Sequence, residues 1–302
     1  MSRDTTGVTV RAPGKINLAL GVGRRRPDGY HPLATVFQAV SVYEDVTATA
    51  ASSLSVTVEG PGAELVPTDA SNLAVRAAQA LAQAVGMDPH VHLHIRKGVP
   101  VAGGMAGGSA DAAATLLACD TLWRTGLSRD ALAEIGAGLG SDVPFALLGH
   151  TALGRGHGDL LSPALSRGQY HWALALRREG LSTPAVYARF DEISHPVDEP
   201  EPDRALLSAL RSADLEAVGR ALTNDLQAAA LDLAPDRVET LAVAQEAGAV
   251  GVLVSGSGPT VAALARSRQH ALAVAAAMTA AGVADQVICA TGPVAGARVV
   301  AG

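Results

Sequence analysis

The sequence predicts an α+β protein of two domains. Segments with strand composition and segments with helical composition interleave, but without the regular βαβα rhythm of a doubly wound parallel sheet. Four glycines fall within six positions, Gly103 to Gly108, directly between a strand-like and a helix-like segment. The texture of the chain changes after "TALGRGHGDLL", which sets the expected division at residues 1–155 and 156–302.

The elements follow in order. "VTVRAPGKINLALGV" is rich in β-branched and apolar residues and reads as a strand interrupted at Pro13-Gly14. "ATVFQAVSVYEDVTATA" and "SLSVTVEG" read as further strands. "SNLAVRAAQALAQAV" reads as a helix from about Ser71 that ends at Gly86. "HVHLHIRKGVP" alternates, with His90, His92 and His94 on one face. Histidines at i and i+2 suit a metal, but no acidic or cysteine ligand lies nearby, so the reading is a strand's wet face. After the glycines, "DAAATLLACDTLW" and "SRDALAEIGAGLG" read as helices, and "SDVPFALLG" as a passage from helix to strand. "QYHWALAL" is a strand, and "PVDEPEPD" is an exposed acidic loop. "RALLSALRSADLEAVGRALTNDLQ" and "DRVETLAVAQEAG" are helical. "AVGVLVSGSGPTVAALA" reads as strand, glycine turn, strand. "RQHALAVAAAMTAAG" is a helix, and "QVICATGPVAGARVV" closes the chain as strand.

Composition excludes several classes. The 302 residues are 48% hydrophobic, enough for a sizeable core, but 3% aromatic, so Ala, Val and Leu must fill it. A net charge of −6 disfavours nucleic acid and anionic membranes, which call for a basic face. The N-terminus lacks a signal-peptide run, and "ALAVAAAMTAAGVA" is too short to span a bilayer. Cys119 and Cys289 sit in apolar settings and read as core thiols of a cytoplasmic protein.

The glycine stretch fits neither standard phosphate loop. Gly103 and Gly108 have the spacing of G-x-x-x-x-G-K-[ST], but Ser109 stands where that motif has lysine. A G-x-G-x-x-G reading needs glycine at the position of Ala102. The physics still favours an anion. Glycines let backbone N–H groups approach a ligand, and the helix starting near Ser109 offers free donors and a positive dipole end. Ser109 could cap that helix or ligate Mg²⁺. The alternative is a tight strand-to-helix turn.

Three segments in order resemble one family. "VPVAGGMAGGSADAA" is similar to the central phosphate motif of the GHMP kinases, "APGKINLAL" to their N-terminal motif, and "VLVSGSGPTVAALA" to their C-terminal glycine motif. "RRRPDGYHPLATVFQAVSVYEDV", "GSDVPFALLGHTALGRGHGD", "STPAVY" and "NDLQ" resemble one branch of that family. Its members use ATP to phosphorylate the 2-hydroxyl of 4-CDP-2-C-methyl-D-erythritol in the non-mevalonate (MEP) isoprenoid route. Ala106, Ala110 and Glu44 depart from residues common in the family at their positions.

The resemblance implies a two-domain GHMP kinase fold with the active site in the cleft between domains. It implies ATP and Mg²⁺ as cofactors and a monomer or homodimer. It places ATP on Pro100, Val101, Ala102, Gly103, Gly104, Met105, Ala106, Gly107, Gly108 and Ser109, with Ser109 also the metal candidate. Asp142 becomes the proton acceptor or orienter, where the bland reading is a helix cap. Lys15 supplies the positive charge that the loop lacks and favours an ionised Asp142. Asn17 shares a strand face with Lys15 and suits a substrate hydroxyl. Tyr30 and His31 suit the cytosine, one by stacking and one by hydrogen bonding. Thr183, Gly256 and Ser257 fall on the acceptor side, with Asn224 and Asp225 as contributors or support. Arg24, Arg25 and Arg26 form either a solvated turn or an approach to the diphosphate. Another GHMP kinase would have no nucleobase for "DGYH" to meet. A nucleotide-binding protein without catalysis would have no use for both Lys15 and Asp142.

Overall fold

A computed structural model describes residues 7–301 of the chain. The first half runs β1 (Val8–Val22), β2 (Leu33–Ala50), β3 (Ser55–Glu59), α1 (Leu73–Val85), β4 (Val91–Arg96), α2 (Gly107–Trp123), α3 (Arg129–Ala137), α4 (Val143–Leu148), β5 (Thr151–Gly156) and β6 (Leu160–Pro163). The second half runs β7 (Tyr170–Leu176), α5 (Thr183–Ile193), α6 (Arg204–Ser212), α7 (Leu215–Arg220), β8 (Thr223–Asn224), α8 (Gln227–Leu233), α9 (Asp236–Glu246), β9 (Gly251–Val254), β10 (Val261–Ala265), α10 (Arg268–Ala280), β11 (Gln286–Gly292) and β12 (Arg298–Ala301). Among the described residues no helix is long and apolar enough to cross a membrane.

β1 and β2 pair antiparallel along nearly their whole length and form the spine of an eight-stranded sheet. β4 pairs one end of β2 and β5 the other; β3 lies beside β4 and β6 beside β5. Pro13 has no N–H for the ladder, and the register shifts between Pro13 and Gly14. Just past this bulge, the Lys15 N–H donates to the Met105 carbonyl at 3.1 Å, which ties β1 to the glycine loop.

α1 begins where Asn72 accepts from the Ala74 N–H at 2.8 Å, and it ends at Gly86 in the left-handed region. It packs with α2 on the sheet over Leu81, Leu93, Ile95 and Leu116. α2 is buried on most sides, from Ala110 through Leu116. Its alanines let it lie close to its neighbours, and a larger side chain there would overpack the core.

The second sheet is antiparallel in the order β11-β7-β10-β9. One face buries Trp172, Leu174 and Leu264 toward the first sheet. The Trp172 indole donates to Gln38 Oε1 at 3.0 Å, and the Thr291 N–H donates to Ser41 Oγ at 2.8 Å, stitching the two sheets. The other face packs Val254 and Val261 against helices, among them Val274 and Met278 of α10.

Several details differ from the sequence reading. The division at 155/156 falls inside β5, and the hairpin to β6 keeps residues up to Pro163 in the first sheet. The closing strand is two strands: β11 joins the second sheet, while β12 returns to pair with β1. The long helical segment after Asp203 breaks at Ala213, which adopts φ 58°, and restarts where Asp214 caps Ala217. "VPFALL" forms the short helix α4. Cys119 is buried and its thiol is pushed up by burial, but Cys289 is exposed, because it lies on the open side of β11. On β4, His92 and His94 meet the Ser55 and Thr57 hydroxyls of β3.

Candidate active site

The glycine loop is anchored at both ends. At its start, Lys97 is buried between two carboxylates, 2.7 Å from Glu44 Oε1 and bonded to Asp111 Oδ2 on α2. The Gly98 N–H donates to Glu44 Oε2 at 2.9 Å. Burial, reinforced by the Asp111 charge, pushes the Glu44 carboxyl up to about 8 against the pull of Lys97. Burial raises Asp111 to about 6, again opposed by Lys97. Burial disfavours the Lys97 charge, but the two carboxylates outweigh it and hold the ammonium above its usual range.

At its far end the loop packs on the second domain. The Thr260 hydroxyl donates to the Gly103 carbonyl. Gly104 has φ 71°, and a Cβ there would stand 2.4 Å from the Gly258 carbonyl oxygen, so only glycine fits. Ala102 and Ala106 also adopt positive φ, 57° and 60°. Ala106 turns the chain into α2, whose first turn starts at Gly107, two residues earlier than the sequence suggests. Among the described residues, the N–H groups of Gly107, Gly108 and Ser109 have no hydrogen-bond partner. Those three donors at a helix N-terminus form a ready anion site.

Two cavities flank the loop. The smaller, about 400 Å³, is lined by Pro100 through Gly108 together with Asn72, Lys97 and Asp111. Ser109 does not border it. The larger, about 840 Å³, is lined by Lys15, Asn17, Tyr30, His31, Asp142, Thr183, Gly256 and Ser257, bringing together residues from across the chain. Gly104 and Ala106 border both.

At the centre of the larger cavity, Lys15 Nζ lies 3.8 Å from Asp142 Oδ2. Lys15 is almost fully buried, above the Phe37 ring at 5.5 Å, and donates to Asn17 Oδ1 at 2.8 Å. Asn17 in turn donates to the Thr35 hydroxyl at 2.8 Å, and Thr35 to the Ala19 carbonyl. This chain fixes the ammonium without neutralising it. Asp142 precedes α4 but makes no capping hydrogen bond, so the bland reading of its role fails. Burial, with the Asp142 charge adding to it, pushes the nearby Tyr187 hydroxyl up to about 12.

The second glycine turn closes over this centre. A Cβ on Gly256 would stand 3.1 Å from Asn17 Oδ1 and 3.6 Å from Lys15 Nζ. Thr183 Oγ1 and Ser257 Oγ are hydrogen-bonded at 2.8 Å. Asn224 donates to the Val254 and Gly256 carbonyls, and Asp225 accepts from the Val22 N–H. Asn224 therefore supports the turn, and Asp225 holds the end of β1.

At the outer end, His31 is buried and its Nε2 lies 2.8 Å from Asp191 Oδ1, with Tyr187 beside it at 4.9 Å. Tyr30 is exposed and stacked on His157. The three arginines divide: Arg24 pairs with Asp198 and Arg26 with Glu199 of the acidic loop, while Arg25 borders the cavity. Sequence reading missed Thr35, Phe37, His157, Tyr187 and Asp191. The first four lie in segments that carried a motif and Asp191 lies four residues past one, but nothing in the sequence says which of these side chains turn inward.

The family profile described as "GHMP kinases N terminal domain" matches residues 72–150, and "GHMP kinases C terminal" matches residues 206–284. The chain is similar to the 4-diphosphocytidyl-2-C-methyl-D-erythritol kinase of Streptomyces coelicolor, 56% identical over 295 residues, covering 97% of this chain and 99% of that protein. It is 55% identical to the like-named protein of Nocardia farcinica, covering 97% and 96%. Among solved structures, a 4-(cytidine 5'-diphospho)-2C-methyl-D-erythritol kinase superposes with a TM-score of 0.77 at 33% identity, covering 94% of this chain and 98% of that one. A homoserine kinase from Cytophaga hutchinsonii superposes at 0.71 with 18% identity, covering 99% of each chain, a likeness of fold alone.

Proposed function

This chain belongs to the 4-diphosphocytidyl-2-C-methyl-D-erythritol kinase branch of the GHMP kinases, and from that premise we propose that it transfers the γ-phosphoryl group of ATP to the 2-hydroxyl of 4-CDP-2-C-methyl-D-erythritol. One observation carries the reading. Gly104 and Ala106 are common walls of two cavities, the smaller formed around the loop and the larger lined by the Lys15–Asp142 pair. A phosphate on the loop would thus face an acceptor beside that pair.

Phosphoryl transfer asks a protein mainly for positioning and charge. In this reading the free N–H groups at the start of α2 hold the phosphates. Lys15 balances negative charge on the acceptor oxygen and the moving group. Asp142 takes the hydroxyl proton or orients it. Asn17, held by Thr35, fixes Lys15. Tyr30 and His31 receive the cytosine, and Arg25, at the cavity rim, supports the diphosphate. Mg²⁺ would neutralise the phosphate oxygens, and the Ser109 hydroxyl, free of partners among the described residues, fits an oxygen-seeking ion that keeps most of its waters. The protein is read as a cytoplasmic enzyme of small molecules.

A coupled ADP-release assay with 4-CDP-2-C-methyl-D-erythritol, mevalonate and homoserine tests this function. Turnover confined to the first supports it. Turnover of another acceptor at an equal rate, or of none, refutes it.

A further inference from the structure

We propose that His157 is a positioning residue for the acceptor's nucleobase: its imidazole, stacked on Tyr30, holds that ring as a platform for a pyrimidine. The inference rests on the reading that the larger cavity takes a cytidine diphosphate ester.

Tyr30 is 60% exposed, and an exposed aromatic alone needs no explanation. This one is held. Its ring centroid lies 4.6 Å from that of His157, with 21° between the planes, an offset-stack geometry. The two rings come from different hairpins. Tyr30 sits in the loop between β1 and β2, where the Arg26 N–H donates to the Tyr30 carbonyl at 2.7 Å and the Tyr30 N–H to Asp28 Oδ1 at 2.9 Å. His157 sits in the turn from β5 to β6. There Gly156 and Gly158 have positive φ, the Gly158 N–H donates to the Arg155 carbonyl, and the His157 N–H donates to Asp159 Oδ1 at 3.2 Å. Each backbone is pinned by its own turn, so the ring pair joins two independently fixed loops.

Both rings border the larger cavity. Among the described residues, the His157 side chain makes no hydrogen bond and no ion pair. Neither ring belongs to a hydrophobic core cluster. What the imidazole offers is its face, and Tyr30 takes it. A tyrosine already stacked on one side has less rotamer freedom to lose when a base arrives on the other. His157 touches no reacting atom, so its effect belongs in acceptor affinity.

The test uses the full chain with His157→Ala, His157→Phe, Tyr30→Ala and the Tyr30→Ala/His157→Ala double variant, each checked for folding by thermal melting. KM for 4-CDP-2-C-methyl-D-erythritol, KM for ATP, kcat, and CDP affinity by calorimetry are measured. His157→Ala is expected to raise the acceptor KM and weaken CDP binding by about three- to tenfold. kcat and the ATP KM should stay within about twofold. His157→Phe, which keeps a stacking face, should restore the acceptor KM, and the double variant should be no worse than Tyr30→Ala. An unchanged acceptor KM in His157→Ala, or an equal penalty with and without Tyr30, overturns the proposal while leaving the kinase reading intact. If the wild type binds CDP no better than ribose 5-phosphate, no base is read, and both fall.

Discussion

Asp142 stands at the head of α4, where an aspartate ordinarily caps, and caps nothing. Its carboxylate instead faces Lys15. Asp142→Asn keeps the shape but cannot take a proton or carry the charge. It should lower kcat by about 10²- to 10⁴-fold and leave ATP binding largely intact, both measured on one folded sample. A near-normal kcat would remove Asp142 from the chemistry. Lys15, Asn17 and Asp142 were legible because each sits in a short segment that resembles a known motif. The outer end was less legible. The "DGYH" segment points to His31 as a base-reading residue, but its partner Asp191 lies 160 residues away, and nothing local announces the pair. Held by that carboxylate at Nε2, the imidazole keeps a fixed orientation. His31→Ala should lower kcat/KM for the cytidylated acceptor by about 10- to 100-fold, the cost of a lost hydrogen bond to a held group. Phosphorylation of methylerythritol 4-phosphate, poor in the wild type, should not change. Equal losses on both substrates would place His31 in general folding.

The loop and α2 act as one element, and the sequence revealed the glycines more readily than their separate tasks. Gly104 and Gly108 look equivalent in "GGMAGGS" and are not. Gly104 has positive φ and lies against the backbone of Gly258; Gly108 faces open space in a helical turn. Gly104→Ala should therefore lower Tm and raise the ATP KM together. Gly108→Ala should leave Tm unchanged or higher, since alanine favours helix, while still raising the ATP KM by crowding the phosphates. Equal thermal losses would contradict the assigned packing. Behind the loop, Glu44, Lys97 and Asp111 were invisible as a group because β2, β4 and α2 bring them together only in the fold. Glu44 titrates near 8 in the folded chain and near 4.5 when unfolded. Its protonated form is thus favoured by folding. The associated stability is full below about pH 4.5, and it is lost as pH rises toward 8. Asp111 acts in the same direction over a lower window. Glu44→Gln has no carboxyl to ionise there, so its Tm advantage over the wild type should grow between pH 5 and pH 8. A constant difference across that range would refute the assignment. The break at Ala213 escaped notice because alanine is a strong helix former, and only the following Asp214 hinted at a restart.

At the scale of the whole molecule, the change of texture after "TALGRGHGDLL" comes near the passage from the first sheet to the second, but the threading of the sheets was not legible. A strand pattern gives burial and period without naming the partner strand. Thus "GARVV" was seen as strand, yet nothing in it said that β12 crosses back to pair Val10 with Val299 and Arg11 with Arg298. There the Tyr43 ring lies under both Arg11, at 5.2 Å, and Arg298, at 5.4 Å. A chain ending after Ala297 should lose about 1–3 kcal/mol of stability in denaturant unfolding. An unchanged midpoint would mean that β12 adds nothing to the first sheet. The same crossing has a temporal side. Ribosomes release a chain from its N-terminus, at about 5–20 residues per second. β1 leaves the tunnel well before β8 and β12, its partners on the edge away from β2, which are translated much later. For most of synthesis that edge of β1 is an unpaired row of N–H and C=O groups, the kind of surface that recruits other strands. The nascent protein is therefore most exposed to misassociation between the emergence of the first hairpin and the arrival of β12, the interval in which a chaperone would have something to hold.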